Sequence, residues 1–345
     1  MKSIRQRLTG TVMAAALLTT LAACSEKKNK EIVCWGDSLT APHGGKSVKM
    51  MVKGIIKGKA YPDYLQDMAG NGYEIINAGV GGENTLTIMA RQGAWPMKLA
   101  HDVTVYRSSE EKYDNFIGNG DVAGFVSSYN GKKVTPLLQL GYDTDSPAQM
   151  NPCTIDGKRF TISSESKHWK ENGRFVFEYN YFISPQEETD SSYTLKAGST
   201  VTTYAMEHLR GKYANVFFIG QNGGFADAAD LTRQLKDMIR YSRSGRFVVV
   251  SFHKPNETMP TIARMKEMED SLHMAFGNHY INLRDSLVRS GLQHAGLTPT
   301  STDRDSIRHG QVPPQLLTDD VHFTAKGYKE IARLVNGKFK QLGYW

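Results

Sequence analysis

The sequence predicts an α/β fold in which a sheet of about five parallel strands lies between two layers of helices, a three-layer αβα arrangement. Two observations lead to this prediction. Short apolar runs alternate with longer amphipathic segments in both outer parts of the chain, and polar or glycine-rich turns follow several of these runs. The central part breaks this rhythm with short alternating runs and turn dipeptides, which predict an inserted, mostly β subdomain.

The individual elements follow from the period of the apolar residues. Five short apolar runs predict strands at residues 31–35, 73–77, 215–219, 246–252 and 279–283. Segments with a helical apolar period predict helices at residues 61–68, 84–91, 203–210, 226–243, 261–276 and 324–342. In a parallel sheet of this kind, ligands bind where the strands end, so the turns after the strands are the places to look for chemistry.

The central part of the chain carries two hairpin signals. Asn130-Gly131 and Asp156-Gly157 each stand between two strand-like runs, and such dipeptides fit the tight turns of β-hairpins. We therefore expect residues 31–94 and 201–345 to form one α/β domain, with residues 95–200 as a β-rich insert.

The first 30 residues have the composition of an export signal. Three basic residues, Lys2, Arg5 and Arg7, precede an apolar stretch at residues 12–23 that is too short to span a bilayer comfortably. Leu21-Ala22-Ala23-Cys24 resembles a bacterial lipoprotein box, which implies a signal peptide at 1–23, lipidation of Cys24 and a polar tether at 24–30. The location implied is the bacterial cell envelope, with membrane contact through the lipid anchor alone. An ordinary signal peptide with an incidental cysteine is the alternative.

Composition and charge exclude several classes of protein. Of 345 residues, 40% are hydrophobic and 22% are charged, which excludes a disordered or collagen-like chain. The formal charge of +7 falls by three when the leader is removed. No block of basic residues interleaved with aromatic residues remains, so we expect no nucleic-acid partner.

The cysteines and histidines do not indicate a metal site. The sequence contains neither a Cys-x-x-Cys nor a His-Glu-x-x-His motif. Cys34 lies in an apolar run, which predicts a buried thiol. A disulfide between Cys34 and Cys153 is the less favoured alternative.

Four polar motifs follow predicted strands or precede the last predicted helix, in a fixed order. They are Gly36-Asp37-Ser38-Leu39-Thr40, Asn77-Ala78-Gly79-Val80-Gly81-Gly82-Glu83-Asn84, Gly220-Gln221-Asn222 and Asp319-Asp320-Val321-His322. Each motif alone is typical of a polar turn or a helix cap. Their common position at one edge of the predicted sheet favours a catalytic site.

This set of motifs resembles the SGNH/GDSL hydrolase family over residues 31–94 and 201–345. The resemblance implies a flavodoxin-like sheet and a serine esterase that needs neither cofactor nor metal. It assigns the nucleophile to Ser38, the base to His322 and the orienting carboxylate to Asp319. The oxyanion would be bound by the backbone N–H groups of Ser38 and Gly82 and by the Asn222 amide. The family usually has Asp after this Asn, and Gly223 stands there instead.

The chemistry of ester hydrolysis fits these residue types without the family name. A serine hydroxyl is a weak nucleophile at neutral pH, so Ser38 needs a base such as His322, which Asp319 would orient. The developing oxyanion needs hydrogen-bond donors aimed at it, and a glycine such as Gly82 lets a substrate oxygen approach the backbone closely.

Two further residues are candidate substrate contacts. His253 follows the fourth predicted strand, and Arg91 ends the helix after the glycine-rich turn. A solvated loop and a plain helix end are the respective alternatives.

The expected function is that of a lipid-anchored serine esterase that removes a short acyl group, acetyl by preference, from a carbohydrate or similar alcohol. Two alternatives stay open: a lipase or thioesterase for longer acyl chains, and a non-catalytic glycan-binding lipoprotein on a hydrolase scaffold. The sequence leaves the oligomeric state undetermined.

Overall fold

The computed structural model describes residues 29–41, 59–105, 116–119, 125–126, 128–129, 131–133, 150–171, 174–187 and 191–345. The predicted signal peptide, the lipidation site Cys24 and most of the predicted tether lie outside these residues. Lys30, the last residue of that tether, already belongs to the first strand, because it pairs with Tyr73. No helix in this part of the chain is long and apolar enough to cross a bilayer.

Fifteen strands and nine α-helices are present in the described residues. The strands are β1 Lys30–Gly36, β2 Tyr73–Gly79, β3 Lys98–Leu99, β4 Val103–Val105, β5 Phe116–Asn119, β6 Phe125–Val126, β7 Ser128–Tyr129, β8 Lys132–Lys133, β9 Cys153–Ile155, β10 Lys158–Glu171, β11 Arg174–Pro185, β12 Tyr193–Leu195, β13 Ala214–Phe218, β14 Phe247–Val250 and β15 Tyr280–Ile281. The helices are α1 Tyr61–Met68, α2 Thr85–Gln92, α3 Tyr204–His208, α4 Ala228–Ser242, α5 Ile262–Phe276, α6 Leu283–Ser286, α7 Leu292–His294, α8 Ser301–Arg308 and α9 Ala325–Gln341.

The central element is a five-stranded parallel sheet with the order β15-β14-β13-β1-β2. This arrangement confirms the predicted mixed α/β class with a parallel sheet of five strands. All five strands run in the same direction, so their carboxyl ends meet at one edge. The motifs that follow β1, β2 and β13 are therefore brought to that edge.

Both faces of this sheet are covered, which follows from the alternation of side chains along each strand. In β1, Ile32 and Cys34 belong to one apolar cluster, which also contains the buried residues of α1 and α9. Val33 and Trp35 belong to a second cluster, together with buried residues of α2, α4 and α5. Because residues 32–35 of β1 are buried on both faces, that part of its sequence is apolar without interruption.

The described part of the chain between α2 and α3 consists of strands rather than helices. Its largest unit is an antiparallel sheet with the order β5-β11-β10-β9. Asp156 and Gly157 form the β9–β10 turn with φ values of 50° and 78°, as the predicted hairpin requires. Apolar residues of this segment, such as Ile155 and Phe160, join the same cluster as Val33, so the core is continuous between the two sheets.

The helices between residues 283 and 308 were not predicted. The largest, α8, has the sequence Ser-Thr-Asp-Arg-Asp-Ser-Ile-Arg, in which Ile307 is the one strongly apolar residue, so no amphipathic period is visible. Its start is instead fixed by a capping box between Thr300 and Asp303. Cys34 and Cys153 are both buried free thiols.

Candidate active site

The turn that carries Ser38 is fixed by hydrogen bonds within the turn and by one from the neighbouring strand β2. Asp37 Oδ1 accepts the Leu39 N–H at 2.8 Å, and the Asp37 carbonyl accepts the Thr40 and Ala41 N–H groups. Asn77, at the end of β2, donates from Nδ2 to the Thr40 carbonyl at 2.8 Å. The chain therefore turns sharply after β1 and leaves Ser38 partly exposed between buried neighbours.

His322 reaches this hydroxyl from the other end of the chain. Its Nε2 lies 3.0 Å from Ser38 Oγ, and its Nδ1 lies 2.9 Å from Asp319 Oδ2. A carboxylate can only accept, so Nδ1 carries the proton of the neutral ring and Nε2 accepts the serine hydroxyl. The structure thus brings together all three residues of the predicted triad in the order that proton abstraction requires.

The loop before α9 holds the imidazole in place. Asp319 Oδ1 accepts the N–H groups of Val321 and His322 at 2.7 and 2.6 Å. The Thr318 N–H in turn donates to the His322 carbonyl at 2.8 Å. Partial burial raises the Asp319 pKa, but hydrogen bonds from the His322 and Val321 N–H groups and from the His322 ring, with the charge of that ring, together lower the pKa overall. Asp319 is therefore an ionised acceptor at neutral pH.

The glycine turn, residues 79–84, lies directly beside the Ser38 turn. The Val80 N–H donates to the Gly36 carbonyl at 3.1 Å, so the ends of β1 and β2 are tied together. Gly82 has a φ of 79°, which a residue with a side chain rarely adopts, and it is exposed. Within the part of the chain that the structure describes, no hydrogen bond uses the backbone N–H of Ser38 or Gly82. Among the described residues, both groups are therefore available as hydrogen-bond donors.

Asn222 joins the glycine turn from the end of β13. Its Nδ2 donates to the Glu83 carbonyl at 3.0 Å, which leaves its second amide hydrogen for another acceptor. The next residue, Gly223, has a φ of 70°, and its carbonyl accepts the Thr85 N–H at the start of α2. A backbone hydrogen bond therefore anchors the loop after β13 at Gly223, the position where the SGNH/GDSL family usually has an aspartate.

Both predicted substrate contacts, Arg91 and His253, have buried side chains, and His253 also lines a cavity beside Asp319, so a contact with substrate stays a prediction for both. The Arg91 guanidinium lies under the glycine turn, where Nη2 is 2.6 Å from Glu83 Oε2 and 3.0 Å from the Ala78 carbonyl. The His253 ring packs on Phe323 with ring centroids 4.5 Å apart. Burial, with the charges of Lys254 and His322, lowers the His253 pKa to about 3, so its ring is neutral.

A second carboxyl lies beside the nucleophile. Asp37 is buried, and desolvation raises its pKa to about 7, with a further increase from the charge of Glu83. The Leu39 N–H opposes this increase by stabilising the ionised form. Asp37 and Glu83 both stand in the quoted motifs, but the sequence gives neither a role of its own. The ion pair of Glu83 with Arg91 spans eight positions, so no i,i+3 or i,i+4 spacing indicates it.

A cavity of about 510 Å³ opens beside Asp319. Its lining combines apolar side chains with polar ones. They include Lys254, Ile262, Gln311, Val312, Leu317 and Asp320. Within the described residues, no group of three or more His, Cys, Asp or Glu side chains is arranged to hold a metal ion.

Comparisons with known proteins add little to this geometry. No protein-family model matches the chain, and no curated protein matches it. One solved crystal structure aligns with 91% of this chain and 98% of its own, at 12% sequence identity and a TM-score of 0.37. At that TM-score the likeness carries no argument about fold or function.

Proposed function

We propose that this protein is a serine esterase in which Ser38, His322 and Asp319 form the catalytic triad. The observation that carries the proposal is the continuous chain of contacts from Asp319 Oδ2 through the imidazole to Ser38 Oγ, with steps of 2.9 and 3.0 Å. Such an arrangement activates a hydroxyl that is otherwise a weak nucleophile. The four ordered motifs and their resemblance to the SGNH/GDSL hydrolases are the second support.

In the proposed reaction, Ser38 Oγ attacks the ester carbonyl while His322 Nε2 takes its proton. Asp319 holds the ring in position and stabilises the imidazolium. The N–H groups of Ser38 and Gly82 and the Asn222 amide bind the oxyanion of the tetrahedral intermediate. His322 then protonates the leaving alcohol. In the second half of the reaction, a water molecule takes the place of the alcohol: it attacks the acyl-enzyme while His322 takes its proton, and the acid and free Ser38 are released.

We propose short acyl esters of carbohydrates or similar alcohols as substrates, with an acetyl group as the preferred acyl group. This choice rests on the family resemblance and on the predicted export of the protein as a lipoprotein anchored through Cys24. The strand-rich segment between α2 and α3 would be an inserted subdomain near the substrate. It leaves the α/β part after Gln92, the last residue of the helix that the glycine turn initiates.

A lipase or thioesterase for longer acyl chains is the second candidate. The cavity beside Asp319 favours it, because Ile262, Val312 and Leu317 give that cavity apolar walls. An extended alkyl chain would gain about 0.8 kcal/mol for each methylene group that it buries there.

The experiment compares hydrolysis of p-nitrophenyl acetate and p-nitrophenyl octanoate by the wild type and by Ser38→Ala. We expect the acetate to be the better substrate by kcat/KM, and we expect S38A to lose at least about 10⁴-fold in kcat. Preference for the octanoate would select the second candidate. Equal rates for wild type and S38A would contradict both.

A further inference from the structure

We propose that Glu83 and Arg91 are positioning residues that fix the geometry of the oxyanion hole. Both side chains are almost completely buried, with 2% of each exposed. The inference rests on the proposed esterase function and adds to it residues that the motifs leave without a role.

Glu83 connects the two sides of the oxyanion hole through different atoms. Its backbone follows Gly82 directly, and its carbonyl accepts the Asn222 amide at 3.0 Å. Its N–H also donates to the Val80 carbonyl at 3.3 Å. The position of the Glu83 backbone therefore determines both the orientation of the adjoining Gly82 backbone and the position of the Asn222 side-chain amide.

Arg91 fixes the Glu83 side chain from below. Its Nε lies 3.0 and 3.1 Å from the two Glu83 carboxylate oxygens, and its Nη2 lies 2.6 Å from Oε2. Such a bidentate contact sets orientation as well as distance, which a single hydrogen bond or a lysine ammonium does not.

The same guanidinium also lies near the ends of the neighbouring strands β1 and β2. Nη2 donates to the Ala78 carbonyl in β2 at 3.0 Å, and the guanidinium carbon lies 5.6 Å from the centre of the Trp35 ring in β1. Trp35 stands three residues before Ser38. The Arg91 backbone is anchored in turn, because the Thr203 hydroxyl donates to its carbonyl at 2.6 Å. The Arg91 side chain thus fixes the position of the Ser38 turn relative to the glycine turn.

Energetic considerations indicate that the Glu83–Arg91 ion pair serves to position the oxyanion hole rather than to stabilise the fold. A buried ion pair loses much of its electrostatic attraction to desolvation, so a well-packed apolar pair is often as stable. A contact that holds the donors is valuable to a catalyst, since a displacement of about 1 Å at the reacting atoms can cost on the order of 10²-fold in rate. We therefore expect loss of this pair to lower kcat far more than it raises KM.

A second buried ion pair in this protein provides a matched control. Arg284 Nε lies 2.8 Å from Glu269 Oε1, and their side chains are 3% and 2% exposed. The pair joins α5 to α6, and its further contacts are with Asn282 and the Gly310 carbonyl rather than with the triad or the glycine turn. Its removal should affect folding as removal of the first pair does, but not the oxyanion hole.

The test compares Glu83→Gln/Arg91→Met with Glu269→Gln/Arg284→Met in the full chain, by melting temperature and by kcat and KM for p-nitrophenyl acetate. We expect E83Q/R91M to lower kcat about 10- to 100-fold with KM within threefold of wild type, while E269Q/R284M keeps kcat within twofold. A kcat within twofold in E83Q/R91M, or equal losses in both double variants, would overturn the inference.

Two outcomes are separated by further measurements. If E83Q/R91M does not fold, Arg91→Lys decides, because it keeps the charge and loses the bidentate contact; an unchanged kcat there overturns the inference, and a loss of about tenfold supports it. A wild type that hydrolyses no ester overturns the proposed function and this inference with it. An active wild type with an unaffected E83Q/R91M overturns the positioning role alone.

Discussion

His322 Nε2 lies 3.0 Å from Ser38 Oγ, although 284 positions separate the two residues in the sequence. The contact joins the turn after β1 to the loop before α9, and α9 packs against the same face of the sheet as α1. The packing of α9 against the sheet therefore places His322 next to Ser38. Asp319 completes the arrangement from within the same loop.

The role of Asp319 can be tested by Asp319→Asn. Asparagine keeps the shape and can still accept backbone hydrogen bonds, but it cannot stabilise an imidazolium by charge. We expect kcat for p-nitrophenyl acetate to fall by about 10²- to 10⁴-fold, with the melting temperature within a few degrees of wild type. A kcat within threefold of wild type would show that the carboxylate does not act in catalysis.

The close contact between the end of β2 and the Ser38 turn can be tested by Gly79→Ala. A methyl group at Gly79 would lie 2.3 Å from the Ala41 backbone nitrogen, so the backbone of the turn must move. We expect a large loss of kcat and a destabilisation of about 1–3 kcal/mol. Gly245→Ala is the control, because its new methyl group would meet nothing within 4 Å. Equal behaviour of the two variants would refute the contact.

Asp37 should make the stability of the protein depend on pH. Burial raises its pKa from 3.8 to about 7, so between these values the folded state binds more protons than the unfolded state. The contribution of Asp37 to stability is therefore lost as pH rises from about 4 to 7, by an amount on the order of 4 kcal/mol at most.

Asp37→Asn removes this titration and keeps an Oδ1 acceptor for the Leu39 N–H. Relative to wild type, we expect its free energy of unfolding to increase steadily from pH 4 to pH 7 and to level off above that. Urea denaturation at a series of pH values measures the difference. A difference that is constant over this range would contradict the raised pKa.

His253 should produce the opposite trend. Its pKa is lowered to about 3, mainly by burial, so the unfolded state binds more protons between pH 3 and 6.5, and stability rises with pH over that range. His253→Phe removes this titration while its backbone N–H can still donate to Gln221 Oε1. We expect the variant to gain stability relative to wild type as pH falls below 6.5. A relative loss in acid would be the opposite of this expectation.

The fold could be predicted where the apolar period was unbroken. The strand β1 is predicted at 31–35 and spans Lys30–Gly36, because residues 32–35 are buried on both faces and form one apolar run. The last strand was predicted at 279–283 but covers only Tyr280–Ile281, since Asn282 caps the next helix through its side chain. Local capping chemistry of this kind overrides an apolar run at its ends.

The site could be predicted as far as the motifs at the strand ends allowed. A parallel sheet gathers such motifs at one edge, so Ser38, Gly82 and Asn222 could be expected near one another. The burial of Arg91 and His253 could not be read from their positions in the sequence. Arg91 is polar and stands near the end of α2, whereas its partner Glu83 precedes that helix. The two charges meet only because of the way the glycine turn folds against α2, which the sequence does not reveal.

Covalent labelling of Ser38 by a fluorophosphonate tests the central claim most directly. A serine hydroxyl reacts with this reagent when a base activates it and an oxyanion hole binds the phosphonyl oxygen. Peptide mass spectrometry after labelling should locate the adduct on Ser38 in the wild type, show none in Ser38→Ala, and show much slower formation in His322→Ala. Labelling at another residue, or equal rates in the wild type and His322→Ala, would contradict the proposed triad.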